Sequence, residues 1–94
     1  MTLGEWMDAR VPPVPEPFRA WMVPEAPEAR VSVGALAREA EASLERAVQG
    51  EARPRGGAFD LLAADGFLTY ACEAALEGEN PAEALDELIR RFAS

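Results

Sequence analysis

Three polar side chains are the first candidates for chemistry in this chain of 94 residues. Asp65, Thr69 and Glu73 follow one another at intervals of four residues inside an otherwise apolar segment. On a helix this spacing places them within an arc of about 80°. Two carboxylates on one arc could bind a metal ion or move a proton. However, the chain has no histidine, and a hard cation needs several more oxygen ligands. The sequence therefore favours a solvated polar stripe over a catalytic or metal site.

A second candidate is the segment that contains Arg53, Arg55, Gly56 and Gly57, just before a predicted helix. Arginines and glycines ahead of a helix N-terminus can hold an anion. The glycine spacing of the phosphate-binding motifs is missing, and no predicted strand precedes the segment. We therefore expect a solvated linker here.

Cys72 is the single cysteine, and no histidine is present to activate it. We expect a buried structural thiol, because a nucleophilic cysteine needs a neighbouring base or cation. A lone cysteine forms no internal disulfide, which suits a reducing compartment. Because the sequence also shows neither a signal-peptide pattern nor a long apolar run, we expect a cytoplasmic location without membrane contact.

Two short apolar clusters near the N-terminus share the spacing i, i+3, i+4. The first contains Leu3, Trp6 and Met7, and the second contains Phe18, Trp21 and Met22. Aromatic and methionine side chains are enriched at binding interfaces, and the proline-rich link 11–17 between the clusters can bind at a low ordering cost. This arm is thus the candidate interaction surface. The sequence favours the alternative, in which the aromatic side chains of the arm pack onto the rest of the domain.

The arm itself predicts one or two short helices. Thr2 and Glu5 have capping-box spacing, which predicts a helix up to about Arg10. The prolines of 11–17 interrupt it, and a second short helix around Trp21 must end before Pro24.

The residues that follow predict three main helices, at about 33–49, 58–77 and 81–92. In the first, helical spacing places Leu44 and Val48 on the inner face and Glu39 and Arg46 outside it. Gly50 ends this helix, and 50–57 has the composition of a loop.

The other two helices form a predicted hairpin. Helix 58–77 is apolar on all sides and ends before Gly78, a pattern typical of a central buried helix. Asn80 and Pro81 supply an N-cap and a first helical residue, and Ile89 and Phe92 are predicted to point inward. The fold class is therefore all-α: one domain over 1–94, with a proline-rich arm (1–31) and a helical core (32–94).

The net charge of the chain limits the classes of partner that it can bind. The chain has nine basic residues, all arginine, and 17 acidic residues, so its net charge is −8. Residues 58–94 contain two arginines and eight acidic residues, so this part of the chain has a net charge of −6. Such a field repels nucleic acids and anionic membranes. We expect a protein partner or a homo-oligomer, with no nucleic acid and no membrane.

From these features we assign no catalytic, cofactor-binding or metal-ligating residue. The leading hypothesis is a non-enzymatic protein-interaction module, such as a small helical adaptor, regulator or accessory subunit. One alternative is an acidic inhibitor or antitoxin-like protein that binds a basic target. Another is a helical bundle that binds a small apolar ligand beside Phe59, Phe67 and Tyr70.

Overall fold

A computed structural model of the chain describes residues 1–10, 13–49 and 54–93. Five helices account for most of these residues. In chain order they are α1 (Leu3–Asp8), α2 (Glu16–Arg19), α3 (Val33–Gln49), α4 (Pro54–Glu77) and α5 (Pro81–Ala93). The described ranges contain no strand beyond an isolated bridge between Thr2 and Arg30. The predicted all-α bundle of three main helices with short N-terminal helices is confirmed.

The predicted bounds hold for α3 and nearly hold for α5. The second short helix, expected around Trp21, ends at Arg19 instead, and the predicted start of α4 is wrong. The helix begins at Pro54, so Arg55, Gly56 and Gly57 belong to its first turn and not to a loop. Proline suits the first helical position, where its missing N–H needs no partner. Each glycine costs a helix only about 1 kcal/mol, which does not stop a helix of 24 residues. Residues 50–53, including the expected stop at Gly50 and the arginine at position 53, lie outside the described residues.

Helix α4 is the central element, since both α3 and α5 pack against it. Its small buried residues lie against the alanine-bearing side of α3, and Phe67 at its middle is fully buried. The expectation that α4 is covered on every side is nevertheless wrong. Leu61, Leu62 and Leu76 are more than half exposed, so the neighbouring elements enclose only part of its circumference.

The N-terminal arm closes another side of α4. The predicted capping box is present, because Thr2 Oγ1 accepts from the Glu5 N–H at 3.2 Å and Glu5 Oε1 accepts from the Thr2 N–H at 2.8 Å. The Leu3 N–H donates to the carbonyl of Ala29 at 2.8 Å. Segment 24–29 thus supplies an acceptor to the free first turn of α1.

Glu39 fixes the same segment to α3. The prediction that Glu39 lies on the solvent face is wrong, because it is only 6% exposed. Its carboxylate accepts from the backbone N–H groups of Glu25 at 2.8 Å and Ala26 at 3.1 Å. Arg46 adds ion pairs to Glu25 at 2.7 Å and to Asp60 on α4 at 3.4 Å. A buried carboxylate is stable here because both of its oxygens have donors.

Candidate functional site

Several large aliphatic side chains of the three main helices are exposed. Leu44 and Val48 on α3 are 40% and 67% exposed, Leu61 on α4 is 55% exposed, and Ile89 on α5 is 65% exposed. The expected inward orientation of Leu44, Val48 and Ile89 is therefore wrong. Helical spacing placed them on apolar helix faces, but none of the elements in the described ranges covers these three side chains.

Three open cavities lie along the cleft between α3 and α5, and together they are called the groove. Its apolar end has a volume of about 310 Å³. The apolar residues lining this end are Ala40 and Leu44 from α3, Leu61, Ala64 and Leu68 from α4, and Phe92 from α5. Asp65 is the charged residue at this end. No ion-pair partner of Asp65 occurs among the described residues.

Toward the turn between α4 and α5 the groove becomes acidic. Two adjoining cavities of about 370 and 260 Å³ share Val33, Ala84 and Glu87. Glu79 and Glu83 line the larger one, and all three glutamates are exposed. The groove thus has an apolar end and an acidic end.

An ion pair connects the two walls of the groove. Arg91 of α5 contacts Glu41 of α3, and Arg90 forms a second ion pair with Asp86 along α5. Among the described lining residues Arg91 is the one basic group. Its charge is therefore balanced within the domain.

The polar stripe of Asp65, Thr69 and Glu73 is divided between two surroundings. Asp65 lines the groove, whereas Glu73 lies 3.8 Å from Arg10 of the arm. The Thr69 hydroxyl donates to the backbone carbonyl of Asp65 at 2.9 Å. The two carboxylates thus lie on different surfaces, Asp65 in the groove and Glu73 beside the arm. In the part of the chain that the structure describes, no group of three or more acidic, cysteine or histidine side chains could hold a metal ion.

The six candidate interaction residues of the arm lie largely against the helical core. Leu3, Trp6 and Met22 are buried, and Met7, Phe18 and Trp21 are half-buried beside them. The ring of Trp6 meets Tyr70 edge-on at 5.5 Å, and Trp21 stacks on Phe59 at 5.0 Å. These contacts correspond to the alternative in which the arm packs onto the domain, and they leave little aromatic surface for a partner.

The same contacts occupy the rings expected to surround an apolar ligand. Phe59 lies against Trp21, Tyr70 lies against Trp6, and Phe67 is fully buried in the core. Cys72 is half-buried and packs against this core, so it is less enclosed than expected.

Arg10 and Glu77 join the arm to the end of α4. The Arg10 guanidinium lies 3.8 Å from the centroid of the Trp6 ring and donates to Glu77 Oε2 at 2.8 Å. The Trp6 indole N–H donates to Glu77 Oε1 at 3.2 Å. The hydrogen bond from Arg10 is the main reason why the pKa of Glu77 lies below its usual value, and the bond from Trp6 lowers it further. Burial raises the pKa of Tyr70 nearby, and the charge of Glu73 adds to that increase.

This contact predicts an acid sensitivity of the arm. Because the folded-state pKa of Glu77 is lowered, its stabilising effect is complete above the ordinary value of about 4.5 and is lost as the pH falls below that value. We expect Glu77→Gln to lower the free energy of unfolding near pH 7, with the gap to wild type narrowing toward pH 3. Urea denaturation of both proteins across this pH range measures the gap. The pKa of Glu5 is lowered as well, but its effect on stability is the same in both proteins and cancels in the comparison. A gap that stays constant with pH would contradict the assignment.

Gly66 provides the space in which Met22 docks on α4. A Cβ at Gly66 would lie 2.7 Å from the sulfur and 2.8 Å from the methyl carbon of Met22. Alanine favours a helix over glycine by about 1 kcal/mol, so Gly66→Ala should stabilise the Met22→Ala variant by that amount. In the wild type we expect Gly66→Ala to be about 1 kcal/mol less favourable to the free energy of unfolding than in the Met22→Ala variant, because Met22 must move. A double-mutant cycle by urea denaturation measures this coupling, and a value near zero would exclude the contact.

No protein-family model matches the chain, and no curated protein or solved structure matches it either. None of the helices in the described ranges is long and apolar enough to cross a membrane.

Sequence reasoning missed the groove although it singled out a few of its residues. Leu44 and Phe92 were placed on inner helix faces, and the helix that carries Leu61 was expected to be covered on every side. The usable signal was the excess of apolar surface on three helices of a small domain. A chain of this size can bury only about 60–65% of the surface that it exposes when unfolded.

Proposed function

We propose that this protein is a non-enzymatic protein-interaction module that binds its partner in the groove between α3 and α5. One observation carries the proposal: large apolar side chains on three helices line an open groove, and two of them, Leu44 and Leu61, are exposed there. Fully burying one such side chain contributes about 1.5–3 kcal/mol. A partner that covers Leu44, Leu61 and Phe92 would gain the part of this free energy that corresponds to their exposed surface.

The arrangement of the arm supports placing the interaction at the groove. Trp6, Trp21 and Met22 are engaged with α4, so the arm completes the core on one side while the groove stays open. The separation of Asp65 from Glu73 also favours binding over catalysis, because general acid–base chemistry needs its groups at one reacting centre. With its single cysteine, such an adaptor, regulator or accessory subunit would suit the reducing cytoplasm.

Affinity capture with matched variants tests this proposal. The chain would be tagged and incubated in a native lysate of its source organism as wild type, as Leu44→Glu with Leu61→Glu, and as Val23→Glu. Val23 is exposed on the arm and does not line the groove, so it is the control for added charge.

We expect one protein to be recovered in stoichiometric amount with the wild type and the Val23 variant, and to be lost with the groove variant. Self-association of the purified chain that only the groove variant abolishes would equally support an interaction module. Recovery that does not depend on Leu44 and Leu61, or no stoichiometric partner and no self-association, would contradict it.

A further inference from the structure

We infer that the occupant of the groove is an amphipathic helix of a partner protein, with basic residues at the end that lies over Glu79, Glu83 and Glu87. This inference rests on the proposed function and specifies the partner's chemistry. Apolar residues of the helix would lie over Leu44, Leu61 and Phe92.

The shape of the groove favours a helix as its occupant. Both walls are helices that pack on α4, and a helix lying along them, over the contact between Arg91 and Glu41, would complete a four-helix arrangement, with side chains of one helix entering spaces on the others. From Val33 to Leu44 the wall formed by α3 rises by about 16 Å, which equals about three turns of a bound helix. The small, partly exposed residue Ala84 of α5 leaves room for its side chains.

The charge of the groove favours a basic partner. Glu83 and Glu87 lie one helical turn apart on α5, and Glu79 lies in the turn before it. These glutamates have no ion-pair partner within the described residues, whereas the basic lining residue Arg91 contacts Glu41. A second copy of this chain would bring a net charge of −8 to an acidic groove. Opposite charge on the occupant speeds association and selects against such like-charged partners.

Two synthetic peptides of about 14 residues, four helical turns, test the inference. Both carry the same apolar stripe at i, i+3, i+4 and i+7, and they differ only in having two arginines or two glutamates at one end. Fluorescence anisotropy at low ionic strength measures their affinity for the full chain. The chain would be used as wild type, as Glu79→Arg with Glu87→Arg, and as Asp8→Arg with Glu28→Arg. The last variant changes the net charge equally at exposed sites outside the acidic end.

We expect the wild type to bind the basic peptide about tenfold more tightly than the acidic peptide, since several exposed charge pairs change sign together. The Glu79/Glu87 variant should reverse this preference, and the Asp8/Glu28 variant should keep it. The preference should also weaken as salt screens the charges.

Three results would overturn the inference. Equal binding of both peptides, abolished by Leu44→Glu, would leave the groove as an interaction site without the charge preference. Binding of neither peptide would exclude a helical occupant of this kind, and affinity capture would then decide the proposed function separately. Dimerisation in sedimentation experiments that Leu44→Glu abolishes would assign the groove to a second copy of the chain.

Discussion

Replacing Trp6 with alanine is expected to lower the free energy of unfolding by about 4 kcal/mol. Trp6 is only 5% exposed and contacts Tyr70 and Glu77 on α4 and Arg10 in the arm. The substitution removes the edge contact with Tyr70, the hydrogen bond to Glu77 and the ring beneath Arg10. It also leaves a cavity between the arm and α4, which adds to the loss of buried apolar surface.

Such a loss is large for a small domain, whose total stability is usually between about 5 and 15 kcal/mol. Urea denaturation followed by circular dichroism measures it, with Val23→Ala on the exposed side of the arm as the control. We expect the control to change stability by less than about 0.5 kcal/mol. If Trp6 served a docking surface instead of the core, its removal would leave stability nearly unchanged.

The second large effect is expected for Glu39→Ala, at about 3 kcal/mol. Each oxygen of the Glu39 carboxylate accepts one backbone N–H, from Glu25 and Ala26. Without the side chain both N–H groups lose a charged acceptor at a partly buried position. Hydrogen bonds to charged groups are stronger than those between neutral groups. The cost therefore comes mainly from the donors left behind.

Two further variants separate this role from a general effect of charge. Glu39→Gln keeps one acceptor oxygen and should fall between wild type and Glu39→Ala in urea denaturation. Glu45→Ala removes an exposed acid of the same helix, whose side chain contacts Gln49, and should cost less than about 0.5 kcal/mol. Equal effects of Glu39→Ala and Glu45→Ala would show that the contacts with segment 24–29 contribute nothing.

Local signals predicted the helices well where they acted within one element. The spacing of Thr2 and Glu5 identified a capping box that the structure confirms, and the periodicity of 33–49 gave the bounds of α3. The start of α4 was harder, because Pro54 fits a helix start as well as a loop and the glycines after it suggested the loop. Here the continuation of the helix outweighed a weak local preference.

Long-range contacts explain why the rest could not be predicted. Glu39 looked like a surface residue because helical spacing contains no information about segment 24–29, which lies against it in space. Leu44 and Ile89 were expected in the core because periodicity identifies an apolar face but not whether a neighbour covers it. The groove depends on how far α3 and α5 lie apart over α4. No local pattern encodes that distance.

The most direct test of the groove as the binding surface is a map of amide chemical shifts on the isotope-labelled full chain, titrated with the basic peptide. We predict that the largest changes follow the groove, along 37–44, 61–68 and 84–92, with little change at Met7, Phe18 and Trp21. Changes concentrated on those three residues of the arm, without changes in the groove, would contradict the groove as the binding surface. They would show that the arm binds the peptide.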